Sequence, residues 1–214
     1  MAKDDSSRGL IVDSNCQNST IKLNSDGQIE YPNGHSLTWY KSGAGFVFDY
    51  HTNSRASSLK KVRLNTLLDY GEWVFVPVES GFSTRVREHG VVKAYPEIQL
   101  SVPVLRKSEL EILSALHEVG HADFYNQVHS SVQRGQLLNL DGTYGEQLVG
   151  INRLLTQILG VEYEEVSEIL AWKKALLYDL RFSILPHFTE AEKATLIRNY
   201  LGTYLGVTKA IWTV

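Results

Sequence analysis

Near the middle of the chain, two histidines and a glutamate occur at the spacing His117, Glu118 and His121. An α-helix turns once in about 3.6 residues, so His117 and His121 lie one above the other on a single helical face. Two imidazole nitrogens in that arrangement can bind one zinc ion. Glu118 lies beside that face, where its carboxylate can accept a proton from a water molecule on the metal. The spacing therefore predicts a hydrolytic metal centre on a helix.

The residues around this motif predict a helix that is buried on several sides. Ser108 followed by Glu111 has the form of a capping box, which marks the first turn of a helix. Apolar residues then occupy most of the helical circumference as far as Phe124, as is typical of a helix with several packing neighbours. Gly120 lowers helix propensity by about 1 kcal/mol relative to alanine, which favours a close approach by another backbone or by a substrate.

A catalytic zinc ion usually takes three protein ligands and keeps a fourth position for water, so another segment must supply the third ligand. Residues 162–175 predict a later helix. The predicted main apolar face of this helix comprises Val166, Ile169, Leu170, Leu176, Leu177 and Leu180. Glu168 lies on the opposite side with Ala171 and Ala175, whose small side chains allow a second helix to come close. Glu168 is therefore our predicted third ligand.

Neighbouring acidic residues leave alternatives for this ligand open. Glu164 lies on the same stripe one turn earlier, and Glu165 is rotated toward Trp172. Either residue could replace Glu168 as the ligand, and a solvated acidic face at the start of the helix is the alternative interpretation of both. Asp123 and Asn126 lie within one turn of His121, and we expect them as hydrogen-bond partners of that ligand.

These two motifs resemble those of the gluzincins, zinc metallopeptidases in which a later helix supplies a glutamate to an HExxH helix. The chain is similar to minimal gluzincins of the ImmA/IrrE type, which often show HExGHA followed by Glu-x-x-Ala, here residues 117–122 and 168–171. The resemblance covers only these motifs within residues 108–180. It implies a zincin-like fold, zinc held by His117, His121 and Glu168, Glu118 as the general base, and hydrolysis of peptide bonds in a protein or peptide substrate.

A second group often stabilises the oxyanion in such hydrolases, and the sequence offers four candidates for it: Tyr163, Tyr178, Arg181 and His187. Two other functions stay open. A deformylase-like enzyme is disfavoured, because the cysteine ligand that those enzymes use has no counterpart here beyond Cys16 in a polar segment. A non-catalytic zinc-containing binding or structural module, including one of phage origin, is the second alternative.

The composition predicts an ordinary globular protein, with typical fractions of hydrophobic and charged residues. It has 214 residues, of which 43% are hydrophobic and 21% charged, enough for one well-buried domain. A net charge of −3 with mixed signs argues against nucleic acid as a partner. A single cysteine excludes an intramolecular disulfide, and no apolar stretch suggests a membrane partner or signal peptide. We therefore expect a cytoplasmic protein, whose oligomeric state the sequence leaves open.

The order of patterns along the chain predicts an α+β fold. We expect residues 1–19 to form a polar, flexible tail and residues 20–214 to form a single domain, β-rich over 20–105 and mainly helical over 106–214. The strongest strand patterns are 73–78 and 98–104, and the proline in each suits an edge strand or the end of a strand. An exposed sheet edge just before the helix that carries His117 and His121 would allow an extended peptide to pair with it. Thr189 and Glu192 form a second capping box, which predicts a helix through about Leu201.

Overall fold

The computed structural model describes residues 26–52, 60–68, 71–89, 93–135, 142–159 and 161–205. Over these residues the chain has a mixed α+β fold with five α-helices and two β-sheets, which confirms the predicted α+β class. The strands precede the five helices, as the sequence patterns indicate. The predicted tail, Cys16 and most of the loop expected near Asp141 lie outside the described residues.

The first sheet is a four-stranded antiparallel meander. Its strands, in spatial order, are β1 (Gly27–Glu30), β2 (Ser36–Ser42), β3 (Gly45–Thr52) and β4 (Lys60–Arg63). A two-residue turn joins β2 to β3, and Gly43 adopts a positive φ of 60° there, a conformation that glycine tolerates best. The inward-facing residues of β2 and β3 are buried, which fixes the pairing between these strands.

The second sheet has three strands, β5 (Val74–Val78), β6 (Ser83–His89) and β7 (Lys93–Ser101). Strand β7 lies in the centre, parallel to β5 and antiparallel to β6. The strand predicted over residues 98–104 is therefore shorter than expected and is not an edge strand, although Pro103 follows a strand end, one of the two places expected for it. The edge strands are β5 and β6, and the chain turns into helix α1 at Val102, with Pro103 in its first turn, where the missing amide hydrogen has no cost.

The helical half contains α1 (Val102–Lys107), α2 (Ile112–Gly135), α3 (Tyr144–Leu159), α4 (Val161–Phe182) and α5 (Glu190–Leu205). A single 3₁₀ turn leads into α2, and Ser108 caps it by accepting a hydrogen bond from the Leu110 amide. The other half of that predicted capping box is missing, because the Glu111 carboxylate accepts from Ser114 and Tyr200 instead. No helix among these is long and apolar enough to cross a membrane.

The predicted capping box before α5 is complete. The Thr189 amide donates to Glu192 Oε2 at 2.7 Å, and the Glu192 amide donates to Thr189 Oγ1 at 3.3 Å. The core runs from the first sheet through the second sheet into the start of α2, where Leu37, Phe48 and Leu116 are fully buried. The two sheets and the helices thus share one hydrophobic core, which holds the start of α2 from several sides.

Helix α4 buries the side opposite to the one expected from hydrophobicity. Ala171 and Ala175 are fully buried, whereas Val166, Leu177 and Leu180 are 46%, 56% and 78% exposed. The small residues allow α2 to approach closely, so the narrow side of α4 faces the core and its bulkier aliphatic side faces outward. The prediction of a buried main apolar face on this helix is wrong for these three residues.

Candidate metal centre

Three side chains from two helices meet at one point. The Nε2 atoms of His117 and His121, both on α2, lie 3.0 Å apart. The carboxylate oxygens of Glu168, on α4, lie 3.2 Å from His117 Nε2 and 3.1 Å from His121 Nε2. Each of the three side chains is at most 15% exposed. The structure therefore brings together the three residues that the sequence predicts as metal ligands.

The spacing of these atoms fits a zinc ion. Bonds of about 2.1 Å in tetrahedral geometry place neighbouring ligand atoms about 3.4 Å apart, and the three observed separations are only slightly shorter. One cation could thus bind the lone pairs of both imidazole nitrogens and of the Glu168 carboxylate at once. Among the residues that the structure describes, no fourth His, Cys, Asp or Glu joins the group. Three protein ligands are the usual number for a catalytic zinc ion, which keeps one position for water or substrate.

The electrostatics of the site favour the protonation states that metal binding requires. Burial lowers the pKa of His117 to about 4, so its imidazole is neutral at pH 7. For Glu168, burial would raise the pKa, but hydrogen bonds from His117 and His121 outweigh that effect and lower the pKa to about 2. A neutral imidazole and an ionised carboxylate are the forms that bind zinc.

Glu118 is buried beside the ligands and is held by the second sheet. The Thr84 hydroxyl, on edge strand β6, lies 2.8 Å from Glu118 Oε2 and 2.7 Å from its backbone carbonyl oxygen. Burial raises the pKa of Glu118 to about 7, against the opposing effects of His121 and Thr84. A general base is most effective when its pKa lies near the working pH. A divalent cation nearby would lower this pKa and favour the ionised base.

The hydrogen-bond partner of His121 differs from the one expected. His121 Nδ1 lies 3.0 Å from the hydroxyl of buried Ser167, the residue just before Glu168. Asp123 forms an ion pair of 2.5 Å with Lys174, and Asn126 accepts hydrogen bonds from a tryptophan and a tyrosine. Helix α4 thus supplies both the third ligand and the group that orients the second, so the expectation that Asp123 and Asn126 orient His121 is wrong.

Replacing Ser167 by alanine should weaken zinc binding by about 10- to 100-fold, the usual effect of removing a hydrogen bond to a metal-bound histidine. Competition with a chromophoric chelator measures the affinity. The control is Ser131→Ala, which removes an exposed serine hydroxyl that bonds only to the backbone of α2. Equal affinities for the two variants would show that Ser167 does not orient the ligand.

Gly120 lets the backbones of α2 and α4 come close, as its position in the motif indicates. A Cβ atom at this residue would lie 2.5 Å from the Ala171 carbonyl oxygen and 3.0 Å from Ala171 Cα. Both are backbone atoms, which cannot give way without a shift of the whole helix. The contact is one turn from both His117 and Glu168, so it sets the separation of the two ligand-bearing helices.

Replacing Gly120 by alanine should therefore lower the free energy of unfolding by about 1–3 kcal/mol, since overpacking outweighs the gain in helix propensity. Urea denaturation measures the change. Gly150→Ala on α3 is the matched control, because a Cβ there meets no atom within 4 Å. That variant should gain up to about 1 kcal/mol. A Gly120 variant as stable as the wild type would contradict the close packing.

The alternative ligands receive no support from the described residues. Glu165 is exposed, and the Glu164 side chain lies outside the described part of the structure. Among the candidate oxyanion donors, His187 contacts Glu109 in a different cluster, and the Tyr163 side chain is also outside the described part. The remaining two, Tyr178 and Arg181, line a cavity of about 660 Å³ between α2 and α4, so none of the four is assigned to the oxyanion.

Sequence reasoning missed three residues that shape this site. Thr84 and Ser167 hold Glu118 and His121, and Trp172 packs against the His117 ring with a centroid distance of 4.1 Å. Within the described residues His117 Nδ1 has no hydrogen-bond partner, so packing by Trp172 orients this ligand. Trp172 follows Glu168 by one helical turn and could have been found from that spacing. Thr84 is far away in sequence and gives no local signal.

No protein-family model matches the chain. Neither the curated proteins nor the solved structures contain a match. The geometry and the chemistry of the residues themselves are therefore the basis for assigning a function.

Proposed function

We propose that the chain is a zinc-dependent metallopeptidase of the gluzincin type with a zincin-like α+β fold. The observation that carries the proposal is the convergence of His117, His121 and Glu168 beside the buried carboxylate of Glu118. Two imidazoles and one carboxylate form a ligand set of known catalytic zinc sites. A glutamate next to them in the helix is the usual proton acceptor of such sites.

The residues of the chain would divide the reaction between them. His117, His121 and Glu168 would hold zinc, which supplies Lewis acidity that activates a water molecule and polarises a peptide carbonyl. Glu118 accepts the proton of the attacking water and later passes it to the departing amine nitrogen. Thr84 keeps the Glu118 carboxylate in place through its hydroxyl. Ser167 and Trp172 orient the two imidazoles.

Strand β6 gives the substrate a place to bind. It is an edge of the three-stranded sheet, and its Thr84 touches the proposed general base. An extended peptide that pairs with a sheet edge gains main-chain hydrogen bonds without regard to its side chains. A peptide on β6 would therefore run past Glu118, so we propose an extended polypeptide as the substrate class.

The proposal is tested by metal analysis and proteolysis of the purified full chain. We expect zinc in the protein by mass spectrometry, cleavage of an unfolded casein substrate, loss of cleavage after chelation, and recovery when zinc is restored. Chelator-resistant cleavage would contradict the proposal. The cytoplasmic location stays a prediction from the sequence.

A non-catalytic zinc module is the second candidate function. The observation that favours it is burial, because His117 and Glu118 are only 6% and 7% exposed, which restricts access to the site. The ionisable Glu118 argues against it, since a purely structural zinc site has no use for a base. Bound zinc without cleavage of casein or of a peptide library would favour the module.

A further inference from the structure

A second group of metal-binding side chains lies apart from the site described above. His35 Nδ1 is 2.7 Å from Glu109 Oε1, and His187 Nε2 is 2.9 Å from Glu109 Oε2. Glu109 is only 7% exposed. Burial would raise the pKa of Glu109, but hydrogen bonds from Tyr50 and His35, together with His187, hold it below its ordinary value. An ionised carboxylate is thus buried between two imidazoles.

The atoms around Glu109 are too crowded for hydrogen bonds alone. The Asn33 amide nitrogen lies 2.6 Å from Glu109 Oε2 and 3.1 Å from both His35 Nδ1 and His187 Nε2. An amide nitrogen has only two hydrogens for these three neighbours. His35 Nδ1 also contacts the Tyr50 hydroxyl, which itself bonds to Glu109. Several of these contacts therefore cannot be hydrogen bonds at the same time.

A cation at the point where these atoms converge would remove the conflict. The lone pairs of His35 Nδ1, Glu109 and His187 Nε2 would all interact with it. The cation would lie close to the present position of the Asn33 amide group. The three ligand atoms lie within 4.8 Å of one another. Nitrogen donors favour zinc and other transition-metal dications over magnesium or calcium.

The three candidate ligands come from distant parts of the chain. His35 precedes β2, Glu109 lies in the 3₁₀ turn that leads into α2, and His187 lies between α4 and α5. A metal bound by all three would fasten the first sheet and the C-terminal helices to the start of α2. The His187 side chain is 33% exposed, which provides a path for the metal from solvent.

We propose that His35, Glu109 and His187 form a second, structural binding site for zinc or a related transition-metal dication. The proposal does not depend on the proposed peptidase function, since it rests on different residues. This second ion would stabilise the junction of the first sheet and the helices, and together with an ion in the candidate catalytic site it would give the chain two metal ions.

The first test is the zinc content of the full chain after equilibrium dialysis, by mass spectrometry. The wild type should bind about two zinc ions. The double variant His35→Ala/His187→Ala should lose one and keep the ion that depends on His117 and His121. His51→Ala is the matched control, because His51 is a strand histidine outside both clusters, and it should leave the content unchanged. Circular dichroism confirms folding.

The outcomes separate the two sites. Loss of one ion in both His35→Ala/His187→Ala and His117→Ala/His121→Ala supports two sites. A single ion that only the His35 and His187 changes remove supports this proposal while contradicting the peptidase proposal. Zinc content unaffected by the His35 and His187 changes overturns the second site and leaves a hydrogen-bond network there.

Should the double variant fail to fold, thermal unfolding in the His117→Ala/His121→Ala background provides the second test. Zinc at about 100 times its Kd should raise the unfolding temperature by about 5–10 °C. Adding Asn33→Asp places another carboxylate beside Glu109, so it should lower the unfolding temperature with chelator present and increase the rise caused by zinc. An unfolding temperature that does not respond to zinc in either protein overturns the proposal.

Discussion

Replacing Glu118 by glutamine should reduce peptide hydrolysis by about 10²- to 10⁴-fold, the usual contribution of a general base, while zinc binding is retained. Glutamine has the same shape and can still accept the hydrogen bond from Thr84, but it cannot take up a proton. The change removes a carboxylate whose ionised form burial disfavours, so the variant should remain folded. Initial rates with a quenched fluorescent peptide, combined with zinc analysis, measure both effects.

Glu118→Asp provides a graded comparison. It keeps the acid but draws it back by one methylene group, so it should retain more activity than the glutamine variant and less than the wild type. A glutamine variant with wild-type rates would remove Glu118 from the mechanism. Loss of zinc from that variant would mean that Glu118 serves as a ligand and not as a base.

Replacing Glu168 by glutamine should weaken zinc binding by more than about 100-fold, beyond the usual effect of losing a hydrogen bond to a ligand. The carboxylate faces both imidazole nitrogens at 3.1–3.2 Å, and glutamine replaces its negative charge with a neutral amide. Activity should fall with the loss of metal and recover in part at high zinc concentration. Zinc titration of the metal-free protein measures the affinity.

Glu165→Gln is the matched control, because Glu165 lies on the same helix three residues earlier and is exposed. It should bind zinc like the wild type. The reverse result, with normal affinity in the Glu168 variant and weak binding in the Glu165 variant, would reassign the third ligand. These two changes therefore decide between Glu168 and Glu165 as the third ligand.

The close pairing of α2 and α4 was predictable because its signals lie within each helix. Helical spacing alone puts His117 near His121, and Glu168 on one side with Ala171. Gly120 indicates where a neighbouring backbone comes close. The structure shows that the neighbour is Ala171, so two independent local patterns specify one contact between distant segments.

The groups that support the site were less predictable, because they depend on how segments far apart in the chain meet. Nothing near Thr84 in the sequence indicates that its hydroxyl reaches Glu118. The end of β7 was misplaced for a different reason. Val102 and Val104 suit a strand by propensity, but Pro103 has no amide hydrogen to donate and fits the first turn of a helix equally well.

The outward-facing side of α4 shows why hydrophobicity alone misassigned that helix. A stripe of large aliphatic residues normally marks the buried face. Here the short distance between α2 and α4 decides which side of α4 is buried. Ala171 lies against Gly120, and only the side of α4 with small residues fits so close to α2.

The contact between Gly120 and Ala171 also constrains how the chain can vary in length. Glu168 precedes Ala171 by less than one turn, so one residue inserted between them would swing the carboxylate by about 100° away from the imidazoles. Insertions in the connection ahead of α4 would leave that angular relation intact. Homologues should therefore differ in the length of the connection ahead of α4, while the glutamate that corresponds to Glu168 stays three positions before the alanine that corresponds to Ala171.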